Sequence, residues 1–303
     1  MTSDWAAPET PAEAGGSVAR RRPAGVARLA PAATQPVPVP LRPLTMGEIL
    51  DGAFDTIRIA PSLVLGLTAM VVVPVELVLT VLERDLLGGN PWRYVLARPW
   101  RYLVDSGTAA GDPSALAVWC AFALALVVPA LCSVAIGRVL SAWYAGTPIG
   151  LRAAVDEMLS RSWVVVVLAP IRALLGLVFF PLVLLMLTGP VVGIERAGPV
   201  VAFGRSWGLV QRRFGSAMNF YVQSAFLFFL LTFALNVVPL VFAEVFLGQA
   251  GWILLVLSNI AISVLLTAFI AAGTCLLYLD SRVRVEGLDL DLLVVDQWPE
   301  GRR

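Results

Sequence analysis

The run Trp163-Val-Val-Val-Val-Leu-Ala-Pro170-Ile-Arg172-Ala-Leu-Leu-Gly-Leu-Val-Phe-Phe-Pro181-Leu-Val-Leu-Leu-Met-Leu-Thr-Gly-Pro-Val-Val-Gly-Ile194 decides the architecture of this chain. Its 32 residues exceed the roughly 20 of one helical bilayer crossing and fall short of the roughly 40 needed for two straight ones. Four other apolar runs, at about 60–82, 114–137, 219–246 and 251–279, each have the length of a single span. The middle run therefore sets whether the chain crosses five or six times, and whether its termini share a side.

Arginine placement separates the two. The chain carries 22 basic residues, all of them arginine, and no histidine. With two passes in the middle run, the arginines flanking the spans divide into 15 on the side of the termini (residues 20–58, 138–161, 196–213 and 282–284) and 4 on the other (84–101). That asymmetry follows the positive-inside rule and puts both termini in the cytoplasm. A single pass leaves 10 against 9 and exports the Arg-rich start of the chain without a signal sequence. Six crossings are expected, with a turn near Pro181 and two short passes, tilted or partly re-entrant, that need protein around them.

Composition agrees: 58% of residues are hydrophobic, 14% are charged and the mean hydropathy is +0.83, where soluble domains hold about 25% charged residues. The expected fold class is all-α, a polytopic membrane helical bundle of about six transmembrane helices with amphipathic interfacial helices on the cytoplasmic side. A net charge of +1 is no nucleic-acid signature. Arginine without lysine, beside abundant Ala, Gly, Pro and Val, reads as the codon bias of a GC-rich bacterium, and the expected location is the bacterial cytoplasmic (inner) membrane. Cys120, Cys132 and Cys275 all fall in apolar runs without metal-ligand spacing, so no disulfide, metal or cofactor is expected.

Three segments are expected: a disordered Ala/Pro/Arg-rich arm over 1–40, a membrane domain over 41–285, and a short cytoplasmic tail over 286–303. Thr45 and Glu48 form a capping-box pattern that predicts a helix to about Arg58, its apolar face built from Met46, Leu50, Ala53, Phe54 and Ile57. Similar stretches recur. Thr147-Pro148 and Gly198-Pro199 each read as an N-cap followed by Pro at the first helical position. Leu151, Val155, Met158, Leu159 and Ser162 repeat the first spacing from Pro148, while Phe203, Trp207, Val210 and Phe214 repeat it shifted by one. The predicted unit is a surface helix plus two spans, three times over.

Charges at membrane depth are the first candidates for a functional role: Glu76 in the first span, Arg172 in the third and Glu244 late in the fifth. An intramembrane Arg costs about 2.5–3.5 kcal/mol on insertion scales and normally faces a partner or a wet cavity. Distances along the helices make Glu76 the expected partner of Arg172. Outside the bilayer, Pro91-Trp92-Arg93-Tyr94 and Pro99-Trp100-Arg101-Tyr102 repeat one tetrapeptide whose aromatic and basic residues suit an interfacial lipid anchor. On the inner side, Arg205, Arg212 and Arg213 interleave with Trp207 as candidates for contact with anionic lipid.

Three segments together resemble a known family. Arg42-Pro43-Leu44-Thr45-x-Gly-Glu48-Ile49-Leu50-Asp51, then Glu195-Arg196-x-Gly198-Pro199-x-x-Ala202-Phe203-x-Arg205-Ser206-Trp207-x-Leu209, then Tyr278-x-Asp280-x-Arg282-x-Arg284-x-Glu286-Gly287-Leu288-Asp289-Leu290 are similar to the membrane domain associated with bacterial glycerophosphoryl diester phosphodiesterases. The resemblance spans residues 41 to about 292 and implies a six-span bundle, either fused ahead of a phosphodiesterase barrel or standing alone. Only 19 residues follow Arg284, which implies the stand-alone form. The associated enzyme uses paired histidines and metal-binding carboxylates, so no catalytic residue carries over to a chain without histidine.

The expected function is non-catalytic: membrane organisation, lipid handling or support of a partner complex. Membrane lipids, a membrane protein or a second copy are the expected partners, and nucleic acid is not. A transporter or channel-like protein with a polar path near Glu76 and Arg172 is the alternative, and a lipid-phosphodiester hydrolase a distant third.

Overall fold

A computed structural model describes residues 37–86, 115–147, 149–176, 183–242 and 251–288. The described chain is all-helical, a membrane-type bundle without strands. It comprises α1 (Met46–Ile59), α2 (Pro61–Leu86), α3 (Ala115–Tyr144), α4 (Leu151–Gly176), α5 (Thr188–Glu195), α6 (Pro199–Arg212), α7 (Phe214–Phe242) and α8 (Gly251–Glu286). Among the described residues five stretches are long and apolar enough to cross a membrane: Pro61–Leu79, Leu126–Tyr144, Leu151–Leu175, Phe214–Leu235 and Val256–Glu286.

Helix boundaries follow local chemistry. The capping box forms at α1, with the Thr45 hydroxyl accepting from the Glu48 backbone N–H and Glu48 accepting from the Thr45 backbone N–H. Ala60 and Pro61 then separate α1 from α2, because a residue before proline avoids the helical region while proline suits the first helical position. Gly198 and Pro199 open α6 in the expected way. The second amphipathic stretch differs. Helix α4 starts at Leu151, three residues beyond Pro148, and runs unbroken to Gly176. No Pro or Gly lies between Leu151 and Ala169 to separate a surface helix from a span.

The buried faces are also rotated from the predicted ones. Helix α1 buries Ile49, Gly52, Ala53, Thr56 and Ile57, and Phe54 lies partly exposed against Phe269, ring centroids 4.5 Å apart. The small pair Gly52 and Ala53 lets α1 settle closely, with Gly52 facing Val39 and Leu276. Helix α6 buries Ala202, Ser206, Leu209 and Val210. From Pro199 these hold the offsets predicted from Pro43, but they lie three positions earlier than Ile49, Ala53, Thr56 and Ile57, which α1 buries.

Residues ahead of 41 already join the bundle. Val39 is buried, and its carbonyl accepts from the Tyr144 hydroxyl at 2.6 Å. Residues 1–36, and 289–303 of the tail, lie outside the described residues, whereas Leu288 is buried.

Three out-and-back excursions emerge from these contacts. Helices α2 and α3 leave and return, since Val39 meets Tyr144. Helices α4 and α5 do the same, because Arg161 Nη1 donates to the Arg196 carbonyl at 2.6 Å. Helices α7 and α8 close through Arg213 and Asp280 at 2.9 Å. All three end at one pole of the bundle.

The second return is short. Helix α5 has 8 residues, a rise of about 12 Å, so the fourth pass returns as a half-helix and not a full-length helix. The preceding Val183, Leu185 and Leu187 are buried, as irregular backbone within a bilayer requires. The expected turn at Pro181 lies outside the described residues. Helix α5 packs on α3 through Gly189 and Gly193, a G-x-x-x-G spacing that brings backbones together. A Cβ on Gly189 would stand 2.6 Å from the Ala130 carbonyl oxygen, and one on Gly193 would collide with the Val134 carbonyl. Gly193→Ala is expected to destabilise the protein by about 1–3 kcal/mol through overpacking. Gly208→Ala, at an open position of α6, is expected to be neutral or stabilising by up to about 1 kcal/mol. Thermal unfolding of both variants in detergent checks this; equal midpoints would remove the close α3–α5 approach.

Candidate functional site

At the pole where the excursions close, the charged residues of α8 organise the chain around them. Asp280 is 1% exposed and accepts from the Leu44 backbone N–H at 2.8 Å, Arg213 Nη1 at 2.9 Å and Arg284 Nε at 2.8 Å. Arg284 reaches on to the Leu44 carbonyl at 2.6 Å, and Arg213 to Ser216 at 2.7 Å. One carboxylate thus ties the entry to α1, the α6–α7 junction and the end of α8. Its charge is matched by two guanidiniums, which is the condition for burying it.

A second cluster lies beside it. Glu195, at the end of α5, accepts from Arg205 Nε at 2.6 Å and from the Tyr278 hydroxyl. Arg205 also meets Glu286 at 2.8 Å, and Arg282 bridges to Glu286 at 2.9 Å and to Glu195 at 3.7 Å. Arg282 sits 5.9 Å from the Tyr278 ring centroid. Partial burial works against the charge on Arg205, but Glu195 and Glu286 more than offset it and raise its pKa above the ordinary arginine value. A third group joins α4 to α5, where Arg196 meets Glu157 at 3.1 Å. Arg196 is the C-cap of α5 with φ 56°, a left-handed conformation, and its guanidinium and carbonyl both bind α4.

Helix periodicity offered no route to this clasp, because its partners are separated by up to 240 positions. The signal was present in the three motif segments: charged residues of the second and third meet one another, and Asp280 and Arg284 of the third bind the Leu44 backbone of the first. Arg42 and Glu48 form an ion pair at the rim, and the Glu48 carboxyl is held below the usual range by the Thr45 backbone N–H, then its hydroxyl, then Arg42. That contribution is complete above pH 4.5, the ordinary value, and fades as pH falls through the lowered folded one.

Of the inner-side lipid candidates, Arg205 and Arg213 are partly buried and pair with Glu195 and Asp280. Arg212 is exposed, and Trp207 is half-buried and stacked on Phe203 at 5.8 Å. Trp92, Arg93, Trp100, Arg101 and Glu244 lie outside the described residues.

The expected Arg172–Glu76 pair gives way to another arrangement. Arg172 Nη1 donates to the Leu185 carbonyl at 2.9 Å and to the Thr188 hydroxyl at 2.6 Å, holding the turn before α5. Ser206 donates to the neighbouring Leu184 carbonyl at 2.7 Å. Carbonyls released where the helix breaks need donors, and they claim Arg172. Glu76 is half-buried on α2 and has an interaction partner of its own. Cys132 and Cys275 are buried thiols, with Cys275 Sγ 3.4 Å from the Ser133 carbonyl.

Comparison with known proteins found no matching family model, no matching curated protein and no matching solved structure.

Removing the carboxylate with Asp280→Ala leaves two inward-facing arginines and is expected to cost about 3–5 kcal/mol. Arg58→Ala, at an exposed pair with Asp55, is expected to cost at most about 1 kcal/mol. Denaturant titration in detergent measures both, and equal effects would deny Asp280 its central place.

Proposed function

We propose that this chain is a non-catalytic protein of the bacterial cytoplasmic membrane, with the charged pole facing the cytoplasm. On this reading it organises membrane, handles lipid or supports a partner complex, in the manner of a stand-alone glycerophosphoryl diester phosphodiesterase membrane domain. One observation carries the reading: ionisable residues of the second and third motif segments are engaged with one another, and Asp280 and Arg284 hold the Leu44 backbone of the first. Glu195, Arg205, Tyr278, Asp280, Arg282, Arg284 and Glu286 all have partners that fix the fold. Among the described residues no group of three or more His, Cys, Asp and Glu converges as a metal site. The excess of flanking arginines on this side supports the orientation.

The surface supports a lipid-embedded body. Phe226, Phe233, Leu230 and Val222 on α7, and Leu174, Val166 and Trp163 on α4, are exposed outward as a bilayer-facing helix requires. Extraction with native lipid into polymer discs, followed by mass spectrometry, is expected to yield a constant protein partner or a stoichiometric lipid class. Turnover of glycerophosphodiesters by the pure protein with divalent metal, or solute flux through reconstituted vesicles, would contradict the proposal.

A further inference from the structure

We propose that one face of α7, from Asn219 to Phe233, is the surface through which two copies of this chain pair side by side in the membrane. Of the five apolar stretches α7 is the least covered: 17% of its span is buried, against 33% or more in each of the others. It packs on α8, where Phe220 lies over Gly273, and Ala217, Phe220 and Ser224 mark its buried side. On the flank of that side, Asn219, Gln223, Phe226, Leu230 and Phe233 follow one another at steps of four, three, four and three residues. Such spacing keeps them on one stripe, the seam along which two parallel helices interlock. Phe226, Leu230 and Phe233 are 64%, 48% and 62% exposed, and Asn219 is exposed with them.

The apolar residues of the stripe suit lipid as well as they suit a helix, and the two amides decide between them. Helix α7 starts at the charged pole, directly after Arg213. From its first residue, Phe214, Asn219 lies roughly 8 Å and Gln223 roughly 14 Å along the helix. Among the described residues neither side-chain amide has a hydrogen-bond partner. Lipid tails offer none, whereas Asn and Gln on membrane helices find partners on a neighbouring helix.

The occupant this stripe fits is a second copy. Two copies inserted the same way round are related by a two-fold axis along the membrane normal, so their α7 helices run parallel and each residue near the axis faces its own image at the same depth. A carboxamide holds both donors and an acceptor, so Asn219 and Gln223 can each bond the same residue of the second copy, where a carboxylate or guanidinium would repel its image. No charged residue lies on the stripe. A polar residue in such a seam also sets the register in which the apolar positions beyond it meet. Phe233 is braced for that contact by Phe229, ring centroids 6.4 Å apart. This inference does not rest on the accessory role proposed above.

The test is disulfide formation by the full chain in vesicles of phosphatidylethanolamine and phosphatidylglycerol under a mild thiol oxidant, read on non-reducing gels, with the parent chain and its own cysteines as background. Phe226→Cys, and Leu230→Cys as a second variant, are expected to give a covalent dimer at high lipid excess, because a thiol near a two-fold axis meets its own copy within bonding reach. Leu174→Cys on α4, 66% exposed, is expected to stay monomeric. Adding Asn219→Leu and Gln223→Leu to Phe226→Cys keeps the face apolar and is expected to require about tenfold more protein per lipid for the same yield. Monomer from both seam variants leaves lipid as the occupant and overturns the proposal. So does a yield from Leu174→Cys equal to theirs, or a yield that loss of both amides leaves unchanged.

Discussion

A carboxylate buried near the end of the last helix holds this fold together. Asp280 is withdrawn from water, and a lone ion there would cost several kcal/mol; Arg213, Arg284 and the Leu44 N–H make the burial tolerable. Each donor comes from a different part of the chain. Three helical excursions that share only apolar surfaces have no strong preference for one register, because lipid is as apolar as they are. The clasp supplies that preference, and the Glu195–Arg205–Glu286–Arg282 cluster extends it to α5 and α6.

The half-helix α5 is the second consequence. A chain that must return to the clasp after α4 does so over few residues, and close packing replaces length. Gly189 and Gly193 let α5 lie against α3, while Arg172, Ser206 and Thr188 serve the carbonyls of the turn. An arginine inside a bilayer is expensive, yet here it holds a break in the backbone. Among the described residues no carboxylate pairs with it, unlike Arg205, Arg213, Arg282 and Arg284 at the pole.

Much of this was legible in the residues. Long apolar runs gave the spans, the Thr45–Glu48 spacing gave the start of α1, and arginine asymmetry matched a bundle whose ends meet at one pole. What failed was pairing. Arg172 and Glu76 looked matched in depth, but length along a helix says nothing about which face a side chain occupies or what backbone needs a donor. Phe54 was placed on the apolar face of α1 by its spacing, whereas the small Gly52 and Ala53 set the surface that packs on the bundle. The break of α5 was hinted at by a run of the wrong length for one or two crossings. Its G-x-x-x-G at 189–193, the feature that places it, was also there to be read.

Energetic coupling between Asp280 and Arg213 closes the bundle, and a double-mutant cycle with Asp280→Asn and Arg213→Gln measures it directly. Unfolding free energies of the two single variants, the double variant and the parent, in one detergent, give the interaction term. A coupling of about 2 kcal/mol or more is predicted for a buried pair in one network. Additivity within about 0.3 kcal/mol, the behaviour of independent sites, would contradict the view that this contact closes the bundle.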